Sequence, residues 1–423
     1  MTLDPGHFHA ALVQKTMYDQ VDPRVHVFAP EGADVEGHLQ RIEGFNTRAD
    51  GPTDWVEVVY TGDDYLERML REQPGNVVVL SGNNARKAAY IRSAVEAGLN
   101  VLADKPMAIK PADFPVLEEA FRIADEKGVV LDDIMTERFE ITSILQRRLS
   151  QLPALFGELV PGSPEEPAVA KQSVHHFSKV VAGRQLIRPA WFFDVQQQGE
   201  GVVDVTTHLV DLIHWQSFPG QAVEVGDVEV LSARRWATDL TTEQFGRVTS
   251  LEAYPLYLAG AVEDSVLRVY SNGEILYKVK GIHAKVTVEW RYEAPEGTGD
   301  THRSVMRGSK ARLEVRQGEA EGFEATLYVE PVAGVDRKGF EATLSAAVAE
   351  LAEEYPGLAT RAAGGGWAVV IPDEYKVGHE AHFAQVTEKY FRSLVEGGLP
   401  AREIKSILTR YFITTRAYEL ARP

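Results

Sequence analysis

Cysteine is absent from the chain of 423 residues. Its absence excludes disulfides, thiolate catalysis, thiolate-held zinc and iron–sulfur clusters, so redox chemistry here has to be carried by a cofactor. Basic residues are the minority, 44 Lys and Arg against 62 Asp and Glu, for a net charge of -18. An acidic protein offers no counter-charge to nucleic acid or to an anionic membrane surface, whereas small neutral substrates are compatible with it. No apolar run reaches the roughly 18 residues of a membrane span, and the amino terminus lacks a basic–apolar–small secretory pattern. A cytoplasmic location is therefore expected, with a removed export signal left open by the abrupt start. At 44% hydrophobic and 25% charged, the composition is that of an ordinary globular protein. The length suffices for two domains of roughly 100 to 200 residues each.

From Thr2 to about Asp133, short apolar runs alternate with helical stretches, the pattern of a doubly wound nucleotide-binding sheet. Within it, Gly75–Leu80, Ala85–Gly98 and Asn100–Ala103 read as strand, helix and strand. Such a unit implies a parallel sheet with a right-handed crossover, and parallel sheets bind ligands beyond the carboxyl ends of their strands. Ser81 to Asn84 and Asp104-Lys105-Pro106 fall at those ends, which directs Lys105 into a ligand crevice.

A second segment, Gly199-Glu200-Gly201-Val202-Val203-Asp204-Val205-Thr206-Thr207-His208-Leu209-Val210-Asp211, spaces Asp204, His208 and Asp211 by four and three, the intervals of one helical face. A carboxylate beside an imidazole can hold a hydroxyl and remove its proton. An Asp and a His on one helix are, by themselves, more often a surface pair or a satisfied core network.

From Val223 to about Val332 the pattern changes to alternating strands, including Ser265–Tyr270, Lys285–Trp290 and Ala311–Val315, with Asn272-Gly273 as a hairpin cue. This predicts a large, predominantly antiparallel sheet whose exposed face supports a homodimer or homotetramer. Pro161–Pro167 reads as a surface loop. The tail from about Val377 to Ala421 returns to helical periodicity with Phe383, Val386, Tyr390 and Phe391 on one side. His379 and His382 in that tail lack a third ligand at a supporting offset, so no metal is assigned.

The two motifs together resemble the glucose–fructose oxidoreductase / inositol dehydrogenase / MocA family of nicotinamide-dependent sugar oxidoreductases. Members carry A-G-K-H-V-x-x-E-K-P after the fourth strand and G-G-G-x-x-x-D-x-x-x-H-x-x-D in the second domain. Here these read Ala97 through Pro106, with Asp104-Lys105-Pro106 at the end, and Gly199 through Asp211. The resemblance implies an α/β architecture: a Rossmann-like NAD(P)-binding domain over 1–134, then an α+β substrate and oligomerisation domain over 135–423. The C-terminal helices are expected to be able to return to the first domain. It also implies that Lys105, Asp204 and His208 form the catalytic group.

Two positions depart from the family pattern. In place of G-x-G-x-x-G the chain offers Thr2-Leu3-Asp4-Pro5-Gly6-His7-Phe8-His9-Ala10, with Gly6 as the third glycine and a first strand that is short or begins partway. Lys87 stands where members often have a His, and a solvated lysine is an equal reading. The expected nucleotide contacts are Gly6, His7, Phe8, His9, Ser81, Gly82, Asn83, Asn84, Asp104, Lys105 and Pro106. Glu31, after Val25–Ala29, would bond the ribose hydroxyls, which favours NAD and leaves NADP open.

His175, His176, Lys179, Arg188 and Trp191, with Asp204 and His208, are the expected contacts to a carbohydrate substrate; the aromatics could equally fill the core. The expected reaction moves a hydride between a carbinol carbon and nicotinamide. His208 would be the general base, Lys105 a donor to the same oxygen, and Asp204 the orienting group. A redox-neutral glycosidase working by oxidation and elimination is the alternative. A sensor without turnover ranks last, because all three motif residues are present.

Overall fold

Short runs of branched and small apolar residues form β1 (Thr2–Leu3), β2 (Arg24–Ala29), β3 (Val56–Thr61), β4 (Val77–Leu80), β5 (Asn100–Asp104) and β6 (Leu131–Ile134). The computed structural model describes residues 1–181 and 184–422. These strands are all parallel and lie in the order β3-β2-β1-β4-β5-β6. The direction of winding reverses between β1 and β4, and that switch point is where open parallel sheets hold ligands. β1 is an inner strand of only two residues, with Thr2 opposite Val27 on one side and Val79 on the other. The alanine-rich stretch becomes the helix Lys87–Glu96, whose Ala88, Tyr90, Ile91, Ala94 and Val95 are buried. It stops at Gly98, whose φ of 79° suits glycine.

The second half builds a mixed, mostly antiparallel sheet of ten strands. Strand Val169–Ser178 sits in its middle, parallel to Ile282–Glu293 and antiparallel to Thr301–Arg307. Burial alternates along Val266–Val279 and Ile282–Glu293, so one face is packed and the other carries polar side chains. Leu209, Val210 and Ile213 of the helix Thr206–Ser217 belong to the same buried cluster as Val269, Ile275, Val286 and Val288 of the packed face. Asn272-Gly273 is not a hairpin: the strand Val266–Val279 runs straight through it. Beside it, the pairing with strand Val228–Thr241 shifts register between Trp236 and Thr238. The dipeptide cue failed because Gly273 serves a close backbone approach instead of a turn. The segment Pro161–Pro167 is a loop whose ends bridge at Gly162 and Pro167.

The tail forms two helices, His379–Glu396 and Ala401–Leu420, and both pack on the first sheet. Phe383, Val386 and Tyr390 cluster with Leu12, Leu102 and Val130, while Ile407 and Tyr411 join Leu3, Val101 and Ala103. Val101 and Leu102 are consecutive on β5 and point to opposite faces, so the chain's end contributes to both layers. Among the described residues no helix is long and apolar enough to cross a membrane.

His38 and His214 are 2% and 3% exposed, and no ring nitrogen of either has a partner among the described residues. Burial pushes His214 down to about 3, with Asp211 opposing and Arg410 and Arg138 assisting, and His38 down to about 4, assisted by Arg41. An unfolded histidine titrates near 6.5, so between that pH and the folded value the unfolded chain takes up protons that the folded chain refuses. Each histidine therefore lowers stability as pH falls through that window. Glu137, raised to about 7 by burial and by Glu140, acts with the opposite sign, so the check is a difference. His214→Phe is expected to lose less of its urea midpoint between pH 6.5 and pH 5 than the wild type does. Parallel curves would remove His214 from the account.

Candidate active site between the two sheets

Gly199 adopts φ 98°, and the Gly201 amide donates to Tyr270 O at 3.0 Å. A Cβ on Gly201 would lie 2.1 Å from Ser271 O, and one on Gly273 would lie 2.6 Å from Val202 N. Two glycines thus let the Gly199–Asp204 turn press directly on strand Val266–Val279. Asp204 lies in this turn, ahead of the helix that begins at Thr206, so the shared helical face expected for Asp204 and His208 does not form. Instead Asp204 Oδ1 accepts from Lys105 Nζ at 2.6 Å, and Oδ2 accepts from Gln198 Nε2 at 3.2 Å. Asp211 turns away to Arg138 and Arg410. Lys105 and Asp204, 99 positions apart in sequence, form a nearly buried ion pair linking the end of β5 to the second half.

The neighbouring Asp104 points back into the first sheet. Its Oδ2 meets His9 Nδ1 at 2.9 Å and accepts from Ser81 Oγ at 2.9 Å. Burial opposes its charge, yet His9, Lys87 and His7 hold the carboxyl well below the usual range. Lys87 is not solvated: it is 2% exposed and donates to Asp104 O at 2.8 Å and to Asn84 Oδ1. Burial brings its ammonium down to about 8 against the pull of Asp104. His208 is held well below its ordinary value by burial, then by the Lys105 ammonium and His379, which leaves a neutral imidazole whose Nδ1 has no partner among the described residues.

On the nucleotide side, the amides of Gly6 and His7 both donate to Ser81 O at 3.2 Å, so neither points free. The helix after them spans only His9–Leu12. A Cβ on Gly82 would lie 2.1 Å from Asp4 O, which keeps the turns after β1 and β4 in contact. Asn83 and Asn84 reach across to Gln197 and Gln198. Glu31 is exposed, whereas the half-buried Asp34, in the first turn of helix Ala33–Thr47, accepts from Trp191 Nε1 at 2.8 Å. Trp191 therefore leans against Gly6.

His175, His176 and Lys179 converge on Asp300, with the histidine Nδ1 atoms 3.1 Å and 3.3 Å from its oxygens. Burial works against the Asp300 charge, but these partners hold it far below the usual range. Arg188 is buried over Phe192 and Trp290 and donates to His176 O and Phe177 O. Burial brings it down to about 10 despite Asp300 and Asp204. Asp300 escaped sequence reading because it ends a loop of ordinary composition. Lys87 stands out in the sequence only as a departure from the family's His, and it is the fold that brings Asn84 Oδ1 and Asp104 O around it.

A parallel sheet whose switch point faces a large, mostly antiparallel sheet, with a lysine–carboxylate pair across the junction, has the fold of a glucose–fructose oxidoreductase / inositol dehydrogenase / MocA-type oxidoreductase. Residues 145–422 match the family described as putative oxidoreductase C terminal domain, and the chain belongs to that family of oxidoreductases. A solved putative oxidoreductase from Parabacteroides merdae is 55% identical, covering 100% of this chain and 96% of that one with a TM-score of 0.98. Two distant structures share the fold. Levoglucosan dehydrogenase, solved with NADH and L-sorbose, is 12% identical over 99% of this chain and 95% of its own, TM-score 0.61. KijD10, a 3-ketoreductase from Actinomadura kijaniata solved with NADP and TDP-benzene, is 14% identical over 100% and 97%, TM-score 0.59. No curated protein matches the sequence.

Proposed function

We propose that the protein is an NAD(P)-dependent dehydrogenase acting on a CH–OH group of a sugar, sugar derivative or polyol. The observation that carries this reading is the Lys105–Asp204 pair at 2.6 Å beside a buried, neutral His208. A neutral imidazole accepts a hydroxyl proton, and an ammonium steadies the alkoxide charge that develops on the same oxygen. Asp204 fixes the direction of the Lys105 ammonium. His175, His176, Lys179 and Arg188 form the wall that bonds the rest of the carbohydrate, with Asp300 holding three of them in place, while Trp191, first expected to stack on it, is buried against Asp34 and Gly6. Bound nicotinamide supplies the hydride acceptor.

The residues at the switch point suit such a nucleotide. Gly82 keeps the two turns together, and the carboxylate of Asp34 lies 2.8 Å from where a Cβ on Gly6 would stand. With the Gly6 and His7 amides engaged, Phe8 and His9 would face the pyrophosphate, and Asp34 takes the ribose role first expected of Glu31, which favours NAD over NADP. Asn83, Asn84, Lys105 and Pro106 line the nicotinamide end. In this reading 1–134 serves the nucleotide and 135–423 serves the substrate and self-association through the sheet's polar face.

Denaturing freshly purified protein and identifying released nucleotide by mass spectrometry tests the proposal, followed by fluorescence titration of emptied protein with NAD and NADP. Retained or tightly rebound NAD is the expected result. Protein that carries no nucleotide and binds neither form overturns it.

A further inference from the structure

His7 and His9 stand where a glycine-rich turn would run, and together with Asp104 they present one donor atom each, all within 4.8 Å of one another. The Asp104 Oδ2 atom lies 2.9 Å from His9 Nδ1 and 3.6 Å from His7 Nδ1. Zinc held at about 2.0–2.2 Å by nitrogen and oxygen sets neighbouring donors roughly 3.3–3.5 Å apart in a tetrahedron, between the two observed separations. A hydrogen bond accounts for His9, but not for His7. At 3.6 Å the His7 nitrogen is beyond bonding range of the carboxylate it faces, and among the described residues its one other polar contact is a marginal 3.5 Å from the His9 amide.

The surroundings are those of a supported ligand set. His9 Nε2, on the far side of the ring, lies 3.3 Å from His379 Nε2, so the ring's outer N–H has an acceptor while Nδ1 faces inward. Ser81 Oγ steadies the carboxylate. The ammonium groups of Lys87 and Lys105 lie close by, which disfavours ions held by charge alone, such as magnesium or calcium, and favours one with a preference for imidazole.

We propose that His7, His9 and Asp104 bind one divalent transition-metal ion of the zinc class, leaving a fourth position for a water or a ligand oxygen. The three donors come from two segments, the turn after β1 and the end of β5, which only the folded sheet unites. Sequence spacing therefore concealed the set, and His382, the helical neighbour of His379, takes no part in it.

Full-length protein stripped with a chelator and titrated with Co²⁺ gives the test, since four-coordinate cobalt absorbs visibly and Zn²⁺ should displace it. One Co²⁺ per chain with that spectrum is expected, and His7→Gln and Asp104→Asn should each weaken binding at least about 10-fold. Circular dichroism reports whether either variant is folded. His7→Gln is the decisive one, since that side chain is only partly buried. A wild-type protein with no cobalt spectrum, or undiminished affinity in folded His7→Gln, overturns the proposal and leaves a hydrogen-bonded His–Asp cluster. Binding is read without turnover, and nucleotide titration of the stripped protein is scored separately, so this result and the dehydrogenase reading stand or fall apart.

Discussion

Lys105→Ala and His208→Ala are each expected to lower turnover by at least about 100-fold, the scale of a lost acid–base or charge-stabilising group, while the protein stays folded. The assay is nicotinamide reduction with whichever sugar or polyol of a panel reacts fastest. A factor of about 100 corresponds to roughly 2.7 kcal/mol of transition-state stabilisation, within reach of one charged hydrogen bond in a site shielded from water. Lys105→Ala also strands the Asp204 carboxylate, which is 5% exposed and would keep only its bond from Gln198. The variant should therefore be compared with Lys105→Met, which keeps the stem, and with Lys105→Ala/Asp204→Asn, which removes the stranded charge. Loss of kcat in all three, with thermal midpoints recovering in the double variant, separates the chemistry from the electrostatic strain. His208→Ala has no such complication, since no charge is left behind. Rates near wild type in either single variant would sink the assignment.

Much of this site was legible before the structure, because it rests on local patterns. The βαβ run around Ser81 and Lys105 specifies its own backbone, and the right hand of its crossover follows from chirality. What escaped were properties of close approach between distant segments. Asn272-Gly273 reads as a hairpin in any window of sequence, and only the contact with Gly201 and Val202 explains why a strand carries a glycine there. Asp204 and His208 look like one helical face, yet the turn clamped by Gly201 starts the helix after Asp204. Asp34, not Glu31, turns inward because the helix begins at Ala33 and aims its first acidic side chain at Trp191. Lys87 reads as a solvated lysine until its two acceptors, Asn84 Oδ1 and Asp104 O, are brought around it.

Arg410→Ala is expected to cost about 3–5 kcal/mol, the range found when one member of a buried ion network is removed. Arg410 is 1% exposed and lies on the last helix. Its Nη2 donates to both oxygens of Asp133 at 2.8 Å and 2.6 Å, and its Nη1 donates to Asp211. Asp133 lies on β6 of the first sheet and Asp211 lies on the helix behind the Gly199–Asp204 turn, so one guanidinium joins three parts of the chain. Arg138 also binds Asp211, at 2.7 Å and 2.6 Å, and Tyr411 donates to Asp133 at 2.8 Å. Burial opposes the Asp211 charge, but Arg138 and Arg410 hold it well below the usual range, and removing Arg410 withdraws much of that compensation. The cost arises from a carboxylate left in a dry site, not from the strength of the pair itself. Arg410→Met/Asp133→Leu removes one charge of each sign, leaves Arg138 on Asp211, and should recover most of the loss. A chain of this size need not unfold in one step, so the measurement is hydrogen exchange in the helix Ala401–Leu420 together with the urea midpoint. If the double variant is as unstable as Arg410→Ala, the loss comes from packing around the guanidinium. In that case the helix is docked by its apolar contacts, among them Ile407 and Tyr411 on the first sheet and Ile413 and Ala417 in the second-half core.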